Sequence, residues 1–248
     1  MPVQDDERER ELVRIFNLTW DSSHQRSGVD ATLDVVLNGS TYRLDVEVKS
    51  TTGNTVATAR DVGMGHINRW RTMFFVIGFY SREARRPELQ RCLCLTPIDM
   101  EPWIASVESK ILIDYRLAAR ASHNLTPTDL FEVVGEQATY SIEDAKRLHK
   151  QQWTAAQYEQ ALDTEENGIP RISQARMLEI LQLRARYIAE RGATLNNPHI
   201  TSTHLQPFLT SNRLVQNNGW AAQIRQLAQE FVREHPDHPA IVRVDSTE

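Results

Sequence analysis

Cysteine is nearly absent: the chain of 248 residues holds two, Cys92 and Cys94. In "RCLCL" they stand two apart on an expected strand, where a disulfide between them would be strained. No further thiol is present to build a zinc site, so the pair reads as two small buried side chains. Long apolar runs are missing too. No stretch approaches the roughly 20 residues of a membrane helix, and no apolar signal segment follows the acidic start "MPVQDDERERE". A soluble, cytoplasmic protein with no membrane partner is expected. There is no P-loop and no dinucleotide-binding glycine pattern, so no nucleotide cofactor is expected. Nor is there a basic excess. A formal net charge of -5 argues against a purely electrostatic coat for nucleic acid, though not against a local basic cleft.

What is present is a globular chain, 40% hydrophobic and 25% charged, long enough for one large domain or two small ones. "DDERERELVRIFNL" (5–18) predicts a helix with Leu12, Ile15 and Phe16 on its apolar face and acids in its first turn. "VDATLDVVLNGSTYRLDVEVKS" predicts a hairpin about Asn38-Gly39, the strongest two-residue turn signal. A loop and a short helix near "HINRWR" follow. The unbroken apolar run "TMFFVIGFY" (72–80) reads as a central strand covered on both faces, and "LQRCLCLT" as its neighbour. From Thr96 onward the segments look helical. "SIEDAKRLHKQQWTAAQYEQAL" reads as one such helix, with Ser141 and Asp144 at its cap. "HPDHPAIVRVDSTE" reads as a frayed tail or an added strand. The fold class expected is α/β, a mixed central sheet flanked by helices over residues 1–97, with a mostly helical portion over 98–248.

The hairpin has a polar face that needs explaining. With Asn38 and Gly39 as turn residues, Leu37 faces Ser40, Val35 faces Tyr42 and Asp34 faces Arg43. Continuing the count sets Asp30 opposite Glu47. Ala31, Leu33, Val35, Leu37, Tyr42, Leu44, Val46 and Val48 then share one face; Asp30, Thr32, Asp34, Arg43, Asp45, Glu47 and Lys49 share the other. Two carboxylates about 5 Å apart repel unless a cation lies between them. Oxygen ligands suit a hard cation, Mg²⁺ above all. Lys49 projects from the same face, where it can position water or stabilise charge on a phosphate. Carboxylates, Mg²⁺ and a lysine are what hydrolysis of a phosphodiester requires. The competing reading is a solvated face with Asp34–Arg43 and Glu47–Lys49 ion pairs, each worth about 0.2–1 kcal/mol.

With Glu47-Val48-Lys49 as an E-x-K element and Asp30 before it, the hairpin resembles the core of the PD-(D/E)xK nuclease superfamily. No Pro-Asp stands ahead of this E-x-K element. Leu33-Asp34 matches the commoner spelling of the first motif, so Asp34 stands beside Asp30 as a second candidate. Asp34 lies about 13 Å along the strand at roughly 3.3 Å per residue. "ERELVRIF" is similar to the first helix of several such nucleases, notably the archaeal Holliday-junction resolvases, where a glutamate completes the acidic cluster. By position that is Glu9, with Glu11 as the alternative. The resemblance covers about residues 5–95, and chain length and helical remainder are similar to type II restriction endonucleases. It implies metal binding by Asp30 and Glu47, water orientation or activation by Lys49, support from Glu9, and 5′-phosphate and 3′-hydroxyl products. Double-stranded DNA is then the expected partner, and a homodimer suits a palindromic site. A structure-specific resolvase or repair nuclease on the same core is the first alternative. A non-catalytic DNA-binding or toxin-like partner protein is the second.

Residues 43–91 hold nine Lys/Arg against five acids, a local +4 in an acidic chain. This excess suits phosphate contacts, with Arg60, His66 and Arg69 as the foremost candidates. "ATLNNPHITSTHL" (193–205) adds Asn196, Asn197 and His199, because asparagine can read adenine bidentately. Its plainer reading is a capped polar connection. Trp70, Trp103 and Trp153 read as core residues.

Overall fold

The computed structural model describes residues 4–20, 29–58, 62–82, 87–192, 197–216 and 219–244. The chain forms two compact units, residues 1–108 with 196–248 and residues 109–195. The first begins with α1 (Gln4–Ile15), β1 (Thr19–Trp20), β2 (Ala31–Leu37), β3 (Ser40–Thr51) and β4 (Val56–Ala57). It continues with α2 (Met64–Trp70), β5 (Met73–Tyr80), β6 (Leu89–Leu95) and the long α3 (Pro97–His123), which carries the chain into the second unit. There follow α4 (Pro127–Val134), β7 (Thr139–Tyr140), α5 (Ile142–His149), α6 (Ala155–Glu159), β8 (Thr164–Glu166), β9 (Ile169–Ser173) and α7 (Gln174–Gly192). The chain then returns with β10 (His199–Ile200), α8 (Ser202–Leu205), β11 (Leu214–Val215), α9 (Trp220–Glu234) and β12 (Val242–Val244).

Among the described residues the main sheet runs β1-β2-β3-β5-β6-β11, and β12 pairs with the first half of β3. It is a mixed sheet: β2 and β3 are antiparallel, β3 and β5 parallel, β5 and β6 antiparallel. The turn forms where expected. Asn38 and Gly39 both take positive φ, 51° and 78°, the geometry whose twist matches a two-residue hairpin. The register is the one that buries the apolar set, with Leu37 opposite Ser40, Asp34 opposite Arg43 and Ala31 opposite Val46. Ala31, Leu33, Val35, Leu44, Val46 and Val48 accordingly join a core with Leu12 of α1, Phe16 just after it, and Ile224, Ala228 and Phe231 of α9. All eight residues of β5 are buried, as its apolar run requires of a strand covered on both faces. Cys92 and Cys94 are buried free thiols, and Trp70 and Trp103 are buried with rings 5.1 Å apart.

Three expectations differ from the structure. The division at residue 97 is not where the compact units separate. Residues 196–248 return to the first unit, and two short strands among them extend its sheet. "SIEDAKRLHKQQWTAAQYEQAL" is two helices rather than one. Lys150 and Gln151 turn left-handed at φ 52° and 57°, and Thr154 caps a new start by accepting from the Gln157 amide. "DTEENGIPRIS" forms the β8–β9 hairpin around Asn167 and Gly168, at φ 54° and 76°.

One glycine sets how closely α1 lies on the sheet. A Cβ at Gly78 would stand 2.8 Å from both Cδ atoms of Leu12. Gly78→Ala is expected to cost about 1–3 kcal/mol in urea unfolding, with part recovered when Leu12→Ala is added. Unfolding at wild-type urea would show that the helix does not press on Gly78.

Candidate active site

Strand alternation places the site. Val46 and Val48 bury toward α1 and α9, so Glu47 and Lys49 project from the other face of β3. Glu47 is 7% exposed, unusual burial for a carboxylate without a partner. Asp30 directly precedes β2, one step beyond the last paired residues Ala31 and Val46. Its Oδ2 accepts from the Val48 amide at 2.9 Å and from Lys49 Nζ at 3.0 Å. Lys49 Nζ also donates to the Val48 carbonyl at 3.0 Å and pairs with Glu47 Oε1 at 2.9 Å. One ammonium therefore faces three oxygens, from Asp30, Glu47 and the main chain between Glu47 and Lys49. That matches the three donors of an ammonium.

Charge in this cluster is strongly coupled. Burial and the charge of Asp30 push the Glu47 carboxyl above its ordinary value, against Lys49 and Arg69, which pull it down. Burial alone would depress Lys49, but Glu47, Asp30 and Glu9 outweigh it and raise it well above its ordinary value. Lys49 is thus an ammonium at neutral pH. It can donate hydrogen bonds and stabilise negative charge; in this state it has no lone pair with which to take a proton from water.

Asp30, Glu47 and Lys49 meet, and Glu9 acts on Lys49 through its charge. Glu11 is turned elsewhere, accepting from the Tyr80 hydroxyl at 3.0 Å. Asp34 is apart from the cluster. Both its oxygens accept from Arg43 at 2.8 Å, which hold its carboxyl below the ordinary value. Arg69 is exposed on α2, and its charge is felt at Glu47. His66 uses Nδ1 to accept from the Gly63 amide at 3.3 Å. Arg60 and Asn196 lie outside the described residues. Asn197 is half-buried, and His199 is exposed with its backbone paired to Ala57 and its carbonyl bound to Trp103 Nε1. With Thr58 bound to the Pro198 carbonyl and Thr201 capping α8, this stretch is a paired and capped connection. Part of the local basic excess is also taken up: Arg71 is held by Glu101 and Glu108, and Arg82 by the Thr52 carbonyl. The contribution that residue types alone missed is the Val48 carbonyl, because a main-chain oxygen carries no side-chain signature.

Among the described residues no three His, Cys, Asp or Glu side chains converge as a metal-ligating group. The cluster offers instead two carboxylates and one main-chain carbonyl. This donor set fits a hard cation such as Mg²⁺, which binds through one or two carboxylates and takes its remaining ligands from water and substrate phosphate. Such a cation and the Lys49 ammonium would compete for the same three oxygens. No family model, curated protein or solved structure matches the chain.

Removing the ammonium should expose the repulsion it now offsets. Lys49→Met is expected to lose on the order of 3 kcal/mol at pH 8, because it leaves half-buried Asp30 and buried Glu47 facing each other without a cation. The Glu47 carboxyl, already raised by burial and Asp30, then loses the pull of Lys49 and rises further above its unfolded value. The folded state binds more protons, so stability falls as pH rises, and the deficit shrinks below pH 5. Denaturant unfolding at pH 8 and pH 4.5 measures this. An equal deficit at both would mean that lost packing, not charge, is responsible.

Proposed function

We propose that the chain is a Mg²⁺-dependent endonuclease of the PD-(D/E)xK type, acting on double-stranded DNA as a sequence-specific type II restriction enzyme. The observation that carries this reading is the convergence of Asp30, Glu47 and the Val48 carbonyl on the ammonium of half-buried Lys49. Asp30 and Glu47 would hold the metal, with the Val48 carbonyl as a third oxygen. Mg²⁺ bound there would polarise the scissile phosphate and lower the pKa of an attacking water. The Val48 amide keeps Asp30 in place. Lys49, held as an ammonium, donates to water or to a phosphate oxygen as negative charge develops. Glu9 adds negative charge that keeps Lys49 protonated. Arg69 offers a cation for a neighbouring phosphate, with His66, Asn197 and His199 as further DNA-contact candidates. The products are 5′-phosphate and 3′-hydroxyl ends, and a homodimer suits a two-fold symmetric DNA site.

One feature favours a second reading. The three oxygens already satisfy Lys49, as they would in a purely structural ion cluster of a DNA-binding protein. Digestion of unmethylated plasmid with Mg²⁺ separates the two. Wild type and Asp34→Asn are expected to give the same discrete bands, abolished by EDTA. Asp30→Asn, Glu47→Gln and Lys49→Ala should each lose at least about a hundredfold in rate. Absence of cleavage, or cleavage that survives Glu47→Gln, would favour the structural cluster.

A further inference from the structure

A pocket of the first unit has no part in the carboxylate cluster described above. It lies just beyond the ends of β3 and β5, has a volume of about 380 Å³, and counts Thr52, Asn54, Phe79, Arg82, Gln90 and Arg91 among its walls. The strand pairings locate it. Glu47 stands beside Phe75, Lys49 beside Ile77 and Thr51 beside Phe79, and Phe79 in turn faces Arg91 across β5 and β6. Partners on adjacent strands share a face, and so do residues two apart on one strand, so Arg91 is on the face that carries Lys49. It is displaced from Lys49 by two residues along the strand and two strands across. At roughly 3.3 Å per residue and 4.8 Å per strand, their backbones are about 12 Å apart.

The two arginines of this pocket are placed but not neutralised. The Arg91 guanidinium lies over the Phe79 ring, 5.1 Å from its centroid, a stacking that holds the group without using its charge on a carboxylate. Its Nε is buried and has no hydrogen-bond partner among the described residues. Arg82 Nε donates to the Thr52 carbonyl at 2.6 Å, which fixes the side chain and leaves its charge uncancelled. Gly53 leaves room for it, since a Cβ there would stand 3.2 Å from Arg82 Nη2. Among the described residues neither arginine pairs with a carboxylate, whereas Arg43, Arg71 and Arg213 of the same unit each do. Nor does any acidic residue among them line the pocket.

We infer that this pocket holds a phosphate group of the DNA strand other than the one that is cut. The inference rests on the DNA-cleaving reading above and gives that reading a second anchoring point. Two guanidiniums are permanently charged planar forks that match phosphate oxygens. Thr52, Asn54 and Gln90 add neutral donors of the kind that contact phosphate and sugar. A separation of about 12 Å covers no more than about three or four steps of a strand that rises about 3.4 Å per nucleotide, so one strand can reach both the pocket and the carboxylates. The contact carries no base preference. It fixes where the strand lies relative to Asp30 and Glu47.

The test is binding of short DNA duplexes to the full-length protein in EDTA, read by fluorescence anisotropy over a series of salt concentrations. Wild type is compared with Arg82→Gln, Arg91→Gln and Arg43→Gln. The last removes the same charge at the other end of β3, and matching thermal melts establish that the variants fold. Arg82→Gln and Arg91→Gln are each expected to weaken binding evenly across unrelated sequences. Each should also lower the slope of log affinity against log salt by about 0.9, the share of one phosphate contact, with Arg43→Gln unchanged. A second arm follows the Arg91 Nε–H signal in heteronuclear NMR, identified by its loss in Arg91→Gln. It is expected to shift with the duplex and to stay in place with the same concentration of inorganic phosphate. A shift with inorganic phosphate but not with the duplex would assign the pocket to a free phosphate and overturn the inference. So would a slope that either pocket variant leaves unchanged, or one that Arg43→Gln lowers equally. In those cases Glu47-dependent plasmid digestion would still stand. Absence of DNA binding by wild type, with no cleavage, would remove both readings.

Discussion

Everything at the candidate site depends on one half-buried ammonium. Lys49 holds Asp30, Glu47 and the Val48 carbonyl around a single point, at distances of 2.9–3.0 Å. Without a cation there, two carboxylates on adjacent chain segments would face each other in a poorly solvated place, which the fold could tolerate only by protonating one. With it, the three oxygens are arranged in advance. The same arrangement that lets the strand carry buried charge is therefore the one that suits a hard divalent ion. The structural and catalytic explanations of this face share one geometry and differ in which cation occupies it.

The sheet makes that arrangement inexpensive to hold. The register of β2 on β3 brings Asp30 to Glu47, and the register is in turn held by the valines and leucines that α1 and α9 cover. A slip of one residue would expose that apolar set and separate the carboxylates at once. Parallel pairing of β3 with the fully buried β5 supports the strand from its other side, with Glu47 beside Phe75 and Lys49 beside Ile77. Gly78 on β5 lets α1 approach, and α1 carries Glu9, whose charge reaches Lys49. The apolar core and the polar site are two faces of one strand.

Much of this was legible from residue order. Asn38-Gly39, the alternation on both sides of it and the counting of partners were enough to bring Asp30, rather than Asp34, to Glu47. Such local signals act over a few residues and are strong. The roles of the two aspartates then follow from strand position, since Asp34 sits where its strand partner is Arg43. Other features were not legible for physical reasons. The Val48 carbonyl is a backbone atom. The strands β10 and β11 are two residues long and exist only because distant strands receive them, whereas β12 is the added strand that the tail offered as one of its two readings. The break after His149 depends on left-handed backbone at Lys150 and Gln151, residues with no special tendency toward it, stabilised by the Trp153 ring packed on His149 and Tyr158. The β8–β9 hairpin is different: its Asn167-Gly168 carries the same signal as the first turn, but the flanking residues are too polar to alternate as strands do.

On the proposed reading, Asp30, Glu47 and the Val48 carbonyl would form a divalent-cation site in which Asp34 has no part. Electron paramagnetic resonance of Mn²⁺ titrated into the DNA-free protein measures this directly, because bound Mn²⁺ loses the signal of the free ion. Saturable binding is expected in wild type and in Asp34→Asn, and its loss in Asp30→Asn. Equal binding by the two aspartate variants, or none by wild type, would contradict it and leave the cluster as a buried ion pair network.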